Sequence, residues 1–60
     1  MEKIIMGFVN EGIKITIADA RTEITISKDN ILKVDTDKVV IRNNNIISYI
    51  RWNDVEYFKL

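Results

Sequence analysis

The sequence predicts an all-β domain, and three observations carry that reading. Ile13, Ile15 and Ile17 alternate with Lys14, Thr16 and Ala18, and Ile24 and Ile26 alternate with Glu23, Thr25 and Ser27. Alternation of β-branched residues at period two is the pattern of a half-buried strand. Turn-forming clusters recur along the chain: Asn10-Glu11-Gly12, Asp19-Ala20-Arg21, Lys28-Asp29-Asn30, Asp35-Thr36-Asp37, Asn43-Asn44-Asn45 and Asn53-Asp54. Helical periodicity is hard to find, the best alternative being one turn near 28–33 with Ser27 or Asp29 as cap, too short to shape the fold.

Strands between these clusters give a meander of six to seven short antiparallel strands, near 3–9, 13–18, 22–27, 31–35, 38–42, 46–52 and 55–59. The first alternates Ile4, Met6 and Phe8 on one side with Ile5 and Val9 on the other. Gly12 then closes a three-residue loop, where glycine takes the left-handed position of a G1 bulge. The last turn, Asn53-Asp54, fits a two-residue type I′ loop because both residues tolerate positive φ. That loop sets Trp52 opposite Val55, Arg51 opposite Glu56, Ile50 opposite Tyr57 and Tyr49 opposite Phe58. Each pair is apolar with apolar or opposite in charge, which favours cross-strand pairing.

The chain reads as one domain over 1–60, with no linker and no strict internal repeat. Its strand spacing is similar to that of Sm-like and SH3-like barrels, built from short bent strands and tight turns. The resemblance implies a small barrel or a strongly bent sheet. The glycine and aspartate signature of Sm sequences is absent, so no functional residue is carried over.

The terminal strands are apolar on both faces. Ile46, Ile50, Trp52, Val55 and Tyr57 share one face of the last hairpin, and Ile47, Tyr49, Phe58 and Leu60 share the other. A 60-residue domain buries only about 60% of its unfolded surface and cannot easily cover both. Large exposed apolar patches mark interfaces. The expectation is therefore a homo-oligomer, with Ile5, Val9, Ile47, Tyr49, Phe58 and Leu60 as candidate interface residues.

Composition removes most chemistries. With no Cys and no His, thiolate nucleophiles, disulfides, imidazole bases and His-based zinc sites are excluded. Ser27, Ser48, Asp29 and the lysines form no nucleophile–base pair at a recognisable spacing, and no glycine-rich phosphate loop is present. Asp35-Thr36-Asp37 offers two carboxylates, but no glycine follows at the sixth loop position and no Glu at the twelfth, so a turn explains it better than a calcium loop. The chain reads as a non-enzyme without cofactor or metal. No apolar run approaches the roughly 20 residues of a membrane helix, and no apolar signal segment opens the chain. A cytoplasmic protein without membrane contact is expected. Abundant Ile and Asn with no Pro and two Gly fit AT-rich codons, as in a low-GC bacterium or its phage.

Nine basic and nine acidic residues leave a net charge of zero, which disfavours a broad nucleic-acid surface. Lys14, Arg21, Lys28, Lys33, Lys38 and Arg42 have acidic neighbours and read as solvated surface. Arg42, Asn44, Tyr49, Arg51 and Trp52 are the candidate ligand-binding residues. Arginine and aromatic side chains supply phosphate pairing and stacking, and the same types dominate protein–protein hot spots. Asn43-Asn44-Asn45 has two readings, base recognition through its amides or a hairpin loop needing positive φ. The functional expectation is a small oligomeric binding protein of the kind that phages and mobile elements encode. It acts by occupancy, sequestering a small anionic ligand or blocking a host or partner protein. The alternatives are a nucleic-acid-binding small barrel and a structural subunit of a larger assembly.

Overall fold

In the computed structural model, which describes residues 2–60, a helix precedes six strands. These are α1 (Glu2–Asn10), β1 (Ile15–Ala18), β2 (Glu23–Ile26), β3 (Ile31–Val34), β4 (Lys38–Asn43), β5 (Ile46–Arg51) and β6 (Tyr57–Lys59), with a 3-10 helix at Trp52–Asp54. The strands form two antiparallel three-stranded sheets, in the orders β2-β1-β6 and β3-β4-β5. The fold is thus mostly β and small, as the alternation and turn clusters predict. Among the described residues no helix is long and apolar enough to cross a membrane.

The first segment corrects the sequence reading, because residues 2–10 are helical where a strand is expected. Ile4, Ile5, Met6, Phe8 and Val9 satisfy a two-residue alternation only by placing apolar groups on both faces. On a helix, Ile5 and Val9 lie one turn apart on the same side and are fully buried, with Met6 and Phe8 packed beside them. The helix ends in a Schellman arrangement: the Gly12 N–H donates to the Val9 carbonyl at 2.9 Å and the Ile13 N–H to the Phe8 carbonyl at 3.1 Å. Gly12 has φ of 88°, so its left-handed conformation is a helix cap and not a strand bulge.

β1 and β2 follow their alternation, with Ile15 opposite Ile26 and Ile17 opposite Ile24. Their connecting turn is held by Asp19, whose Oδ1 accepts from the N–H groups of Arg21 and Thr22 at 2.8 and 2.9 Å. The β3–β4 turn repeats the device: Asp35 Oδ1 accepts from Asp37 and Lys38 at 2.8 and 2.9 Å. Aspartate mimics a backbone acceptor here and fixes the turn. The Asp35 carboxylate of the Asp-x-Asp pair is therefore occupied in the turn.

The last hairpin is the second correction. β5 does not fold back on β6. It pairs with β4 over six residues, from Lys38 opposite Arg51 to Asn43 opposite Ile46. β6 pairs instead with β1, placing Ile17 opposite Phe58 and Ala18 opposite Tyr57. The two-residue loop with positive φ is Asn44-Asn45, at 51° and 68°, which is the type I′ combination. The triple asparagine is thus a hairpin turn. Asn53 and Asp54 lie in the 3-10 helix, closed by the Val55 N–H on the Trp52 carbonyl at 3.2 Å. Four favourable local pairs are outweighed by six with β4 and by the anchoring of Trp52. The Trp52 N–H donates to the Asp37 carbonyl at 2.9 Å, and its indole Nε1–H to the Asp35 carbonyl at 2.8 Å.

One core fills the space between the sheets and α1, comprising Ile5, Val9, Ile15, Ile17, Ile26, Val39, Ile41, Ile50 and Trp52. The chain crosses between sheets twice. At the β5–β6 crossing, Trp52 plugs the core. At the β2–β3 crossing, Asn30 joins both sides: its Nδ2 donates to the Thr25 carbonyl at 2.8 Å and to Asn43 Oδ1 at 3.1 Å, while its carbonyl accepts from the Arg42 N–H at 2.9 Å.

Candidate functional site

The two sheets present very different outer faces. On the first, Tyr57, Ala18 and Glu23 lie in one cross-strand row, and Lys59, Thr16 and Thr25 in the next. These rows are internally matched. The Tyr57 hydroxyl donates to Glu23 Oε2 at 2.5 Å, Lys59 Nζ lies 3.9 Å from the same oxygen, and the Thr16 and Thr25 hydroxyls bond at 3.1 Å. The hydrogen bond to Glu23 holds the Tyr57 phenol above its ordinary pKa.

The second sheet is not matched in this way. Val39, Ile41 and Ile50 point into the core, so their neighbours Lys38, Val40, Arg42, Tyr49, Arg51 and Ile47 point outward. The register sets Lys38 beside Arg51, Val40 beside Tyr49 and Arg42 beside Ile47. Lys33 joins the face opposite Val40, beyond a bulge at Leu32. Lys33, Lys38, Arg42 and Arg51 thus share one face with Val40, Ile47 and Tyr49. The acid that reaches it is Asp35, 3.7 Å from Lys33 Nζ and 4.0 Å from Lys38 Nζ. Arg42 and Arg51 have no carboxylate within salt-bridge distance among the described residues. Like charges directly opposite across strands destabilise a sheet, so Lys38 beside Arg51 is a cost that folding alone does not require.

At one end this face runs into a groove of about 630 Å³, bordered by the β1–β2 turn, the last residues of β5 and the segment from Asn53 to Glu56. Tyr49 and Arg51 belong to both face and groove. Asp19, Asp54 and Glu56 also line it, against Arg21 and Arg51, so the groove carries mixed charge and the open face carries the cations.

Of the candidate ligand-binding residues, Arg42, Tyr49 and Arg51 come together on the outer face, Tyr49 with 61% of its surface exposed. Asn44 sits at the adjoining hairpin turn. Trp52 does not join them. It is buried in the core with its indole N–H already bonded. Of the candidate interface residues, Ile5 and Val9 are fully covered by the chain's own core, because the segment is a helix with its apolar side turned inward. Phe58 packs partly against that core, and Leu60 is exposed at the end of the chain. Ile47 and Tyr49 remain exposed on β5. The sequence reading misses Lys33, Lys38 and Val40 as members of this surface. The signal that finds them is the Asn44-Asn45 turn, since a two-residue loop there fixes which β4 residue faces which on β5.

Comparison with protein-family models, with characterised proteins and with solved structures gives no match for this chain.

Proposed function

We propose that the protein is a small, non-catalytic binding module that acts by occupancy, covering an acidic surface of a partner protein with the outer face of β3-β4-β5. The observation that supports this reading is the gathering of Lys33, Lys38, Arg42 and Arg51 on one sheet face of a chain with zero net charge. Val40, Ile47 and Tyr49 lie between these cations. Arginine and tyrosine around an apolar centre match protein–protein hot spots, where charge steers approach and ring burial supplies affinity. A broad, open face suits a macromolecule better than a small anion, which binds in a concave site. In this reading the two sheets bend strongly around the shared core, which holds the face rigid and leaves the outer edge of β5 free. Blocking a host or partner protein, as an accessory gene product of a phage or mobile element does, is the role such a surface fits.

Fluorescence anisotropy with a labelled Glu/Asp-rich peptide carrying one aromatic residue tests the reading. Binding is expected for the unmodified protein. It should be lost in the Arg42→Glu/Arg51→Glu variant, neither of whose arginines has a carboxylate within salt-bridge distance among the described residues, at an unchanged melting temperature. Equal binding by both proteins would refute it.

A second reading is single-stranded nucleic acid, favoured by the exposed Tyr49 ring among cations. A labelled oligothymidylate separates the two. Neutralising four phosphates on a single strand gives a slope of log K against log salt of about −3. That slope, at an affinity above that for the peptide, would select the nucleic-acid reading.

A further inference from the structure

We propose that two copies of the chain pair antiparallel along β5, about a two-fold axis at Ser48, to make one continuous six-stranded sheet. β5 lies at the end of the order β3-β4-β5, with β4 as its neighbour. The Asn44-Asn45 loop makes Asn43 and Ile46 a hydrogen-bonded pair, so Ile46, Ser48 and Ile50 direct their backbone groups at β4. The bond from the Trp52 N–H to Asp37 continues that parity. The N–H and C=O groups of Ile47, Tyr49 and Arg51 therefore face away from β4, along the edge.

Edge strands are commonly guarded by shortness, bulges, proline or charge. β3 has its bulge at Leu32, and β2 and β6 have four and three residues with Glu23 and Lys59 on them. β5 has six residues, no proline and no charged residue before Arg51. Its side chains Ile46, Ile47 and Tyr49 are 66%, 60% and 61% exposed. An unguarded, apolar edge is a template for another strand.

The strand is complementary to itself. Pairing about Ser48 places Ile47 opposite the partner's Tyr49, an aromatic with β-branched match made twice. Ile46 meets the partner's Ile50, and Arg51 meets the partner's Asn45, so no like charges oppose. The register also carries the partner's Asn44-Asn45 turn to the end of β5 where the 630 Å³ groove leaves room. The second copy thereby contributes to the site, doubling the cationic face and setting its Ile47 beside Tyr49. The pairing stands on backbone parity and apolar exposure and does not depend on the acidic-partner reading, so its test contains no acidic peptide.

The chain has no cysteine, so Ser48→Cys introduces one thiol per chain. Opposite residues at a non-hydrogen-bonded antiparallel position have Cα atoms about 4.5 Å apart, within disulfide reach. Under mild oxidation this variant is expected to form a covalent dimer, whereas Lys28→Cys, in an exposed turn, is expected to stay largely monomeric. By sedimentation equilibrium the unmodified protein should be a dimer and Ile47→Lys a folded monomer, its far-UV spectrum retained. A monomeric unmodified protein at 0.1–1 mM, cross-linking no better at 48 than at 28, or a dimer unaffected by Ile47→Lys would each overturn the proposal.

Discussion

The indole N–H of Trp52 donates to the main-chain carbonyl of Asp35 at 2.8 Å, tying the end of β5 to the turn between β3 and β4. The same residue fills the core where the chain passes from one sheet to the other. Trp52→Ala should therefore cost about 3–5 kcal/mol, as for other buried large side chains. Trp52→Phe should cost less but more than zero, since the Asp35 carbonyl loses a hydrogen bond of about 1 kcal/mol. Chemical denaturation measures both. A ring whose removal lowered binding and left stability untouched would contradict the core assignment.

Asn30 uses both ends of its amide. Its Oδ1 accepts from the Ser27 N–H at 2.9 Å while Nδ2 reaches Thr25 and Asn43. Asn30→Asp keeps the acceptor and replaces the donor with an oxygen facing two others. It should destabilise more than Asn30→Ala at neutral pH, by about 1 kcal/mol or more. Thermal melts of the two variants decide the order.

The two glycines should respond in opposite directions. Gly7 lies inside α1, and a Cβ added there meets nothing within 4 Å. Gly7→Ala is expected to stabilise by about 0.5–1 kcal/mol. Gly12 holds the helix cap at φ of 88°, and Gly12→Ala is expected to cost about 1–2 kcal/mol from left-handed strain.

Acid should weaken the two aspartate turns. The N–H groups of Arg21 and Thr22 hold the Asp19 carboxyl below its ordinary value, and those of Lys38 and Asp37 do the same for Asp35. A pKa depressed by folding gives stability that is present above the unfolded value of 3.8 and lost as pH falls through the folded value. The melting temperature should thus hold down to about pH 5 and fall below about pH 4. Asp19→Asn/Asp35→Asn keeps the acceptor oxygens but cannot titrate there, so its acid loss should be smaller. An identical acid profile would count against these turns as the cause.

β1 and β2 were legible because isoleucines alternate there without interruption, and short strands of that pattern have few other uses. α1 was not, because Ile4, Met6 and Phe8 imitate a strand while the spacing from Ile5 to Val9 belongs to a helix. A nine-residue helix is too short for its period to dominate. The apparent two-facedness of 3–9 was the helical signal. The hairpin at Asn53-Asp54 failed because local pairing energies do not count distant strands: Trp52 is held by Asp35 and Asp37, far away in sequence. The cationic face was hidden by the balance of total charge. Residue type marks Arg42, Tyr49 and Arg51, but only the β4–β5 register, with Lys38 opposite Arg51, Val40 opposite Tyr49 and Arg42 opposite Ile47, shows that they share a surface.

Amide chemical-shift mapping decides whether the outer face of β3-β4-β5 binds an acidic partner. Uniformly ¹⁵N-labelled protein would be titrated with the Glu/Asp-rich aromatic peptide. The shifts should concentrate at Lys33, Lys38, Val40, Arg42, Ile47, Tyr49 and Arg51 and spare α1 and the outer face of β2-β1-β6. Shifts centred on α1 or the first sheet, or none at millimolar peptide, would contradict it.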